Sequence, residues 1–254
     1  IANAQTTVTI GTGTSSNYSF GPIYRSSSTS TFDYSQYHYL YTAADLAAVG
    51  IVPGSTITSL AFQKNSAFVL TGTGDAFFDL YLKNSATSVL PASESWANLT
   101  TGSTQVGAYT LNTTNNLPAA TGWWTLTLTT PYVYSGGAIE LSVNWDCSAM
   151  TGNPSDGAFN WLYGTYSAGT SLGLAAGAVI TGNLTDASYG GTERPNTQFT
   201  YTAPACAGPT GLNATNILSS TADLGWTASG SAVGYNWKVV VAGAGSGGAA
   251  VASG

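Results

Sequence analysis

The chain has 254 residues, of which only five are basic and eleven are acidic, so that its net charge is −6 at pH 7. The basic residues are scattered along the chain. A nucleic-acid backbone or an anionic membrane surface needs several neighbouring cations, so neither partner is expected. No apolar run approaches ~20 residues, so no membrane insertion is expected. The aromatic, Thr-rich and Gly-rich composition is typical of an exported all-β protein.

The first residues are similar to the end of a secretory signal peptide. Ala2 and Ala4 have the small-residue spacing of a cleavage site. Residues 1–4 are therefore interpreted as a signal-peptide remnant, with Gln5 as the mature N terminus, and an ordinary extended N terminus is the alternative. A first strand is predicted over 6–13, and a surface loop or weak edge strand over 14–33.

Further strands are predicted wherever apolar and polar residues alternate, because successive side chains leave opposite faces of a strand. Thr42 and Asp45 form a capping-box pattern that predicts one helical turn over 44–49, ended by Gly50. Long loops are expected at 84–98 and 166–177. The predicted strands cover residues 34–41, 55–63, 68–70, 76–83, 106–111, 122–129, 138–145, 158–163, 178–181 and 197–201.

The stretch from Gly122 to Cys147 gives the clearest strand signal. Two alternating segments flank Pro131 and the Ser135-Gly136-Gly137 turn, which predicts a central β-hairpin. The short strands and the long crossovers together predict a jelly-roll or Greek-key β-sandwich over 5–202. A Pro/Ala linker follows at 203–208, and a second β unit at 209–254.

The second unit contains Pro209 and Leu212, then Ala222-x-Leu224-x-Trp226, and then Gly234-Tyr235-x-Trp237-Lys238-Val239. With these residues it resembles the front half of a fibronectin type III domain. The resemblance implies a partial immunoglobulin-like β-sandwich with three strands and Trp226 in its core. The last stretch, 242–254, is of low complexity. A sandwich of this family needs about 90–100 residues, so the natural chain is expected to continue.

The first unit contains a set of distinctive motifs, namely Tyr34-Ser35-Gln36, Tyr41 to Leu46, Ile57 to Phe62, Gly122-Trp123, Pro131 to Gly137, and Arg194-Pro195-Asn196. With these motifs it resembles an N-terminal β-sandwich module of large exported multidomain proteins of Bacteroidetes. The resemblance implies a secreted or cell-surface protein, type IX secretion and fibronectin type III repeats downstream. It brings no catalytic signature with it.

Catalytic residues are scarce in this sequence. His38 is the single histidine, so any Ser-His-Asp or Cys-His mechanism would have to use it. Glu140 and Asp79 project from predicted strands, and a glycosidase would need two such carboxyl groups to face each other. Neither arrangement follows from the spacing, so the chain is predicted not to be an enzyme.

A calcium site and a disulfide are the candidate structural sites. Asp146, Asn153 and Asp156 are hard oxygen donors in or beside one Gly/Pro-rich loop and could bind Ca²⁺, with Asp75 and Asp79 as a poorer alternative. Equally, Asp and Asn form turns without any metal. Cys147 and Cys206 could form a disulfide in an exported protein, or each could have another partner or none. No other cofactor is expected.

Aromatic side chains are the candidate ligand-binding residues. Trp123, Trp161, Tyr163 and Tyr166 could offer ring faces to a glycan, and the alternating Tyr37, Tyr39 and Tyr41 could do the same. Aromatic residues equally fill sandwich cores, which is the interpretation adopted for Trp124, Trp145 and Trp226.

Composition and motifs predict a non-enzymatic exported module, structural or adhesive, at the cell surface. A carbohydrate-binding module of a larger secreted protein is the first alternative. A subunit of an extracellular fibre, assembled by strand addition, is the second. The partners expected are a glycan, another extracellular protein, or further copies of the chain.

Overall fold

The computed structural model describes residues 4–25, 32–152, 158–187, 189–204, 210–218, 221–227, 234, 237–240 and 250–253. The chain divides into two compact units, Ile1–Ala203 and Pro204–Gly254, a division that falls at the start of the predicted linker. Each unit consists of antiparallel strands.

The described part of the first unit is built from short strands with two helices between them. In chain order the elements are β1 (Gln5–Ile10), β2 (Ser15–Asn17), β3 (Tyr34–Tyr41), α1 (Ala43–Ala48), β4 (Thr56–Lys64), β5 (Ala76–Ser85), β6 (Ser93–Glu94), α2 (Trp96–Thr100), β7 (Thr104–Leu111), β8 (Gly122–Val133), β9 (Ala138–Asp146), β10 (Trp161–Thr165), β11 (Ser171–Ala176), β12 (Leu184–Thr185), β13 (Glu193–Pro195) and β14 (Thr197–Thr202).

Two seven-stranded sheets form the sandwich. Sheet one has the order β1-β14-β4-β10-β13, with β8 paired to β4 and β2 paired to β10. Sheet two has the order β6-β12-β11-β3-β9-β5-β7. The chain switches sheets between β3 and β4, β4 and β5, and β8 and β9, as in a jelly roll rather than a meander. The predicted all-β sandwich is confirmed.

The core between the sheets is rich in aromatic rings. Phe78 of sheet two lies 5.0 Å from Trp124 of sheet one, between ring centroids. Trp124 in turn lies 5.9 Å from Trp161. Trp145 is fully buried and Trp124 is 4% exposed, which confirms that both belong to the core. These rings join the two sheets across the middle of the sandwich.

The predicted hairpin over Gly122–Cys147 is wrong. β8 pairs with β4 in sheet one, whereas β9 lies between β3 and β5 in sheet two. Both Gly136 and Gly137 have positive φ, so the turn carries the chain from one sheet to the other instead of back onto itself. Alternation identified each strand but contains no information about its partner.

The capping box at the start of α1 is confirmed. The Thr42 hydroxyl accepts a hydrogen bond from the Asp45 backbone N–H at 3.1 Å, and the Asp45 carboxylate accepts one from the Thr42 N–H at 3.0 Å. In contrast, the helix α2 was not predicted. It begins after Ser95, whose hydroxyl accepts from the Asn98 N–H at 3.3 Å, inside the segment predicted as a loop.

The segment 166–177, which is rich in Gly, Ala and Ser and was predicted as a loop, contains β11, an interior strand of sheet two. Its small residues serve close packing: a Cβ atom at Gly173 would lie 2.6 Å from the Tyr189 carbonyl oxygen and 2.7 Å from the Tyr37 ring. Composition therefore predicted a loop where tight contacts require small residues in a strand. The weak strands predicted at 68–70 and 178–181 are absent from the structure.

The second unit contains two strand pairs within its described residues. β15 (Thr210–Thr215) pairs with β16 (Asp223–Thr227), and β17 (Lys238–Val240) pairs with β18 (Ala250–Ser253). β18 lies in the low-complexity stretch. Trp226 is 36% exposed within this unit, so its prediction as a core residue of the complete sandwich stays a prediction. The fibronectin type III resemblance of this unit stays a prediction.

Candidate functional site

The outer face of sheet two is the best candidate site in the described residues. Alternation along β3, β9 and β5 sends tyrosine, leucine and tryptophan side chains into the core and polar side chains to the opposite face. Cross-strand pairing then aligns these polar residues: Gln36 lies opposite Asn144, and Asn144 lies opposite Asp79. Three strands distant in sequence thus contribute to one row.

The row is a continuous hydrogen-bonded strip, here called the polar strip (Gln36, Asn144, Asp79 and Gln105). Gln36 Nε2 donates to Asn144 Oδ1 at 3.0 Å. Asn144 Nδ2 lies 3.5 Å from Asp79 Oδ2, and Gln105 Nε2 donates to Asp79 Oδ1 at 3.1 Å. Amide and carboxylate groups in this geometry offer both donors and acceptors to a ligand with hydroxyl groups.

Two groups in the strip are partly removed from water. Gln36 is 8% exposed, and its buried Oε1 has no hydrogen-bond partner within the described structure. Burial raises the pKa of Asp79 above its usual value, although the hydrogen bonds from Asn144 and Gln105 oppose the rise. A buried acceptor without a partner is unfavourable, so Gln36 is the least satisfied member of the strip.

Aromatic side chains flank the polar strip on both sides. On one side the ring of Tyr81 meets that of Trp96 edge to face, at 6.1 Å between centroids. On the other side Tyr34 and Phe77 lie one row further along, both opposite Asp146, and Phe77 is 43% exposed. Trp96 begins helix α2, so the Ser95 cap determines where this ring lies.

Next to the strip, the same face contains a buried polar network. His38 Nδ1 lies 2.7 Å from Ser142 Oγ, and His38 Nε2 lies 3.0 Å from Glu140 Oε2. Lys83 Nζ lies 2.8 Å from the same Glu140 oxygen. Burial lowers the pKa of His38, against the pull of Glu140, and thus favours the neutral ring. Burial alone would raise the pKa of Glu140, but hydrogen bonds from His38, Lys83 and Ser85 hold it at about 2.

This network contains the residue types of a Ser-His-Glu triad, but its serine is inaccessible. Ser142 is 1% exposed and His38 is fully buried. A small apolar cluster covers this end of the sheet, formed by Leu40, Leu90, Leu99, Ala138, Leu172 and Leu184. A nucleophile must approach its substrate within van der Waals contact, and Ser142 cannot do so here. The arrangement is suited to holding strands together.

The four aromatic residues predicted to bind glycan do not form one surface. Trp161 is fully buried and its indole N–H donates to the Ile23 carbonyl at 2.8 Å, so its prediction as a ligand-binding residue is wrong. Tyr163 packs against Phe20 at 4.8 Å. Trp123 lies half-buried on β8, opposite Gln63. The role of Trp123 and Tyr163 in glycan binding stays a prediction.

Tyr166 has one ring face occupied. The Arg194 guanidinium lies 4.1 Å from its centroid and 4.3 Å from that of Tyr41, so Arg194 is sandwiched between two tyrosines. Tyr166 also lines a groove of about 460 Å³ beside Gly11 and Gly13. Tyr37, Tyr39 and Tyr41 are fully buried, so the alternative glycan site on these tyrosines is also wrong.

The predicted calcium ligands lie only in part within the described residues. Asp146 Oδ1 accepts a hydrogen bond from the Ser148 N–H at 2.9 Å, the geometry of a turn former. Asn153 and Asp156 lie outside the described residues. Asp75 accepts from Asn112 at 2.9 Å. Within the described part of the chain, no three His, Cys, Asp or Glu side chains are grouped to hold a metal ion.

The predicted disulfide is not tested. Cys147 is fully buried and its backbone N–H donates to the Asp33 carbonyl at 2.8 Å, whereas Cys206 lies outside the described residues. The Cys147–Cys206 bridge therefore stays a prediction.

Sequence reasoning missed Trp96, Tyr81 and the polar strip as a unit. The outward positions of β3, β5 and β9 were identifiable from alternation, but the row formed only once the strand order was known. Trp96 lay in a segment predicted as a loop. A Ser-x-x-Asn pattern at Ser95 and Asn98 was the signal that could have placed a helix there.

Comparisons with known proteins match this chain by structure and not by sequence. No protein-family model matches the chain, and no curated protein matches it in sequence. Among solved structures, the chain is similar to the cysteine protease and lectin-like domains of Cwp84, a surface layer associated protein of Clostridium difficile, with 11% identity and a TM-score of 0.41. The match covers 67% of this chain and 32% of that one. Among the described helices, none is long and apolar enough to cross a membrane.

Proposed function

We propose that this chain is a non-enzymatic extracellular surface module that binds glycans on the outer face of sheet two. The observation that carries the proposal is the polar strip between two aromatic flanks. Sugars present hydroxyl groups around their rim and C–H groups on their faces. Amide and carboxylate side chains bind the hydroxyl groups, and aromatic rings pack on the C–H faces.

The charges on this face favour a neutral glycan. Asp79 and Asp146 lie on adjacent strands of the face, and burial raises the pKa of Asp79, with Asp146 a further cause. An additional anion here would meet like charge in a partly desolvated setting. Lys83, the nearest cation, is already paired with Glu140. The proposed ligand class is therefore an uncharged oligosaccharide.

The wider setting belongs to the same proposal. Composition and the resemblance of both units support an exported cell-surface protein of the Bacteroidetes type, in which this module precedes fibronectin type III repeats. In that setting, glycan binding would serve adhesion. The inaccessible Ser142 supports the absence of catalysis, and the purified chain is expected to hydrolyse neither glycans nor esters.

Affinity electrophoresis tests the proposal directly. Native gels that contain xylan, glucomannan, laminarin or hydroxyethylcellulose should retard the 254-residue chain in at least one case. The variant Asn144→Ala interrupts the polar strip and should bind that polysaccharide about tenfold more weakly, the loss expected for one good hydrogen bond and its neighbours. Because Asn144 is half-buried, the variant should remain folded.

The matched control is Thr125→Ala, which removes an exposed polar side chain from β8 of sheet one. It should migrate like the parent chain in every gel. Unretarded migration of the parent in all four polysaccharides would overturn the proposal, and so would equal retardation of the Asn144→Ala variant.

A further inference from the structure

The first strand of sheet one has an open edge. β1 pairs with β14 from Gln5↔Thr202 to Ile10↔Thr197 without any register shift. Within the described residues, β14 is its only strand partner. One row of β1 backbone N–H and C=O groups therefore faces away from the sheet, and such a row can pair with another strand.

The sheet edges formed by β13, β6 and β7, in the described part of the first unit, are short, irregular or tied to a neighbouring strand. β13 has three residues and contains Glu193, Arg194 and Pro195, and β6 has two residues. β7 contains an irregularity where it pairs with β5. Its Tyr109 hydroxyl also donates to the Thr127 carbonyl of β8 at 2.7 Å, which ties these two edges together. Short length, charge, proline and bulges all prevent strand addition.

β1 has none of these protections. It reads QTTVTI, six residues without a charge or a proline. Gln5, Thr6, Thr7 and Thr9 are exposed. Six uncharged residues of high β-propensity form the type of segment that pairs with its own copy.

We infer that β1 is an interface between two copies of this chain, which pair antiparallel through their β1 strands. An antiparallel pair of identical strands has two-fold symmetry, so that a single edge serves both partners. The absence of charge on β1 removes local repulsion, although each chain has a net charge of −6. Sheet one of each copy would then join the other in a continuous sheet across the dimer.

Cross-strand threonine pairs favour a second copy as the partner. Thr7 Oγ1 already lies 2.8 Å from Thr200 Oγ1 of β14, and Gln198 donates to Thr9 Oγ1 at 3.3 Å. Thr–Thr pairs stabilise neighbouring strands. A second β1 continues the same pattern of hydroxyl-bearing residues on its free side, which an arbitrary strand with charged side chains does not.

The interface is small, so the association should be weak. Pairing of at most six residues buries less than the ~1,000 Å² that a stable complex needs. The expected dimer therefore forms at high micromolar concentration and depends on local crowding of the chain, as on a cell surface.

Sedimentation velocity of the 254-residue chain, from low micromolar to millimolar concentration, tests the inference. The parent chain should show a concentration-dependent increase in sedimentation coefficient. Thr6→Lys and Thr6→Glu each add one like charge per copy to the paired strands and should weaken self-association several-fold. An equimolar mixture of the two variants should associate again, because the charges are then opposite.

Thr125→Lys is the matched control, since it adds the same charge to an exposed position of β8 and should not change self-association. Amide hydrogen exchange gives a second measurement: dimer formation should protect amides only within residues 5–10. A strictly monomeric parent would overturn the inference. So would association that both Thr6 variants retain, or protection confined to other strands.

Discussion

At the scale of single residues, the buried network of His38, Ser142, Glu140 and Lys83 shows how polar groups can occupy an interior position. The carboxylate of Glu140 is 5% exposed but has Lys83 at 2.8 Å and His38 at 3.0 Å. A buried charge is tolerated when it is paired and hydrogen-bonded. These contacts join β3, β9 and β5, three of the four strands that supply the polar strip.

Glu140→Gln should lower the free energy of unfolding by about 3 kcal/mol, because removal of one partner of a buried ion pair leaves the other uncompensated. Urea denaturation at pH 7 measures the change. Glu193→Gln is the control, since Glu193 is only half-buried and should change stability by less than about 0.5 kcal/mol. Equal stability of the two variants would contradict the role assigned to the network.

Glu140 also predicts that stability depends on pH. The pKa of Glu140 is about 2 in the folded chain and 4.5 as its ordinary value. A carboxyl group whose pKa is lower in the folded than in the unfolded state stabilises the folded state at pH values above its unfolded pKa. Its contribution should therefore be complete above pH 4.5 and disappear as the pH falls towards about 2. Between pH 7 and pH 2, the free energy of unfolding measured by denaturation should fall less steeply for Glu140→Gln than for the parent. Parallel dependences on pH would exclude this linkage.

At the scale of elements, the turn between β8 and β9 determines which sheet each strand joins. Gly137 has a φ of +79°, and a Cβ atom there would lie 2.3 Å from the Ser85 carbonyl oxygen. The end of β5 thus packs directly on this turn. Tyr134 stabilises the turn further, because its hydroxyl donates to the Gly137 carbonyl at 2.6 Å.

Gly137→Ala should destabilise the chain by more than 2 kcal/mol, since it combines a clash with a strained φ. Gly102→Ala is the matched control: its φ is +75°, and a Cβ atom there would meet nothing within 4 Å, so that only the strain of about 1 kcal/mol remains. Thermal unfolding of both variants measures the difference. If Gly102→Ala were as destabilising as Gly137→Ala, the close contact with Ser85 would have no energetic importance.

At the scale of the whole molecule, the sequence predicts elements better than their arrangement. Alternation located β3, β4, β5, β8 and β9 nearly to the residue, and the capping box located α1, because these signals depend on neighbours along the chain. Pairing depends on contacts between distant segments, such as β1 with β14. The hairpin prediction failed for that reason, and the polar strip could not be predicted for the same reason.

Trp161 shows the consequence for the site. It was predicted to bind a ligand, but it lies in the aromatic core that joins the two sheets, 6.3 Å from Phe159 and 5.9 Å from Trp124. Trp161→Ala should lower the free energy of unfolding by about 3–5 kcal/mol, with glycan affinity unchanged at temperatures where the variant is folded. If the variant had parental stability but reduced glycan affinity, Trp161 would be a ligand-binding residue after all.

The most direct test of the proposed function compares two tryptophans on opposite sheets. Trp96 flanks the polar strip of sheet two and Trp123 lies on β8 of sheet one, and both are half-buried. Xylohexaose, mannohexaose, cellohexaose and laminarihexaose are titrated by isothermal calorimetry into the parent chain, Trp96→Ala and Trp123→Ala. We expect saturable binding of at least one oligosaccharide by the parent and by Trp123→Ala, and at least tenfold weaker binding by Trp96→Ala. Loss of binding in Trp123→Ala alone, or no binding by the parent, would contradict the assignment of sheet two as the glycan-binding face.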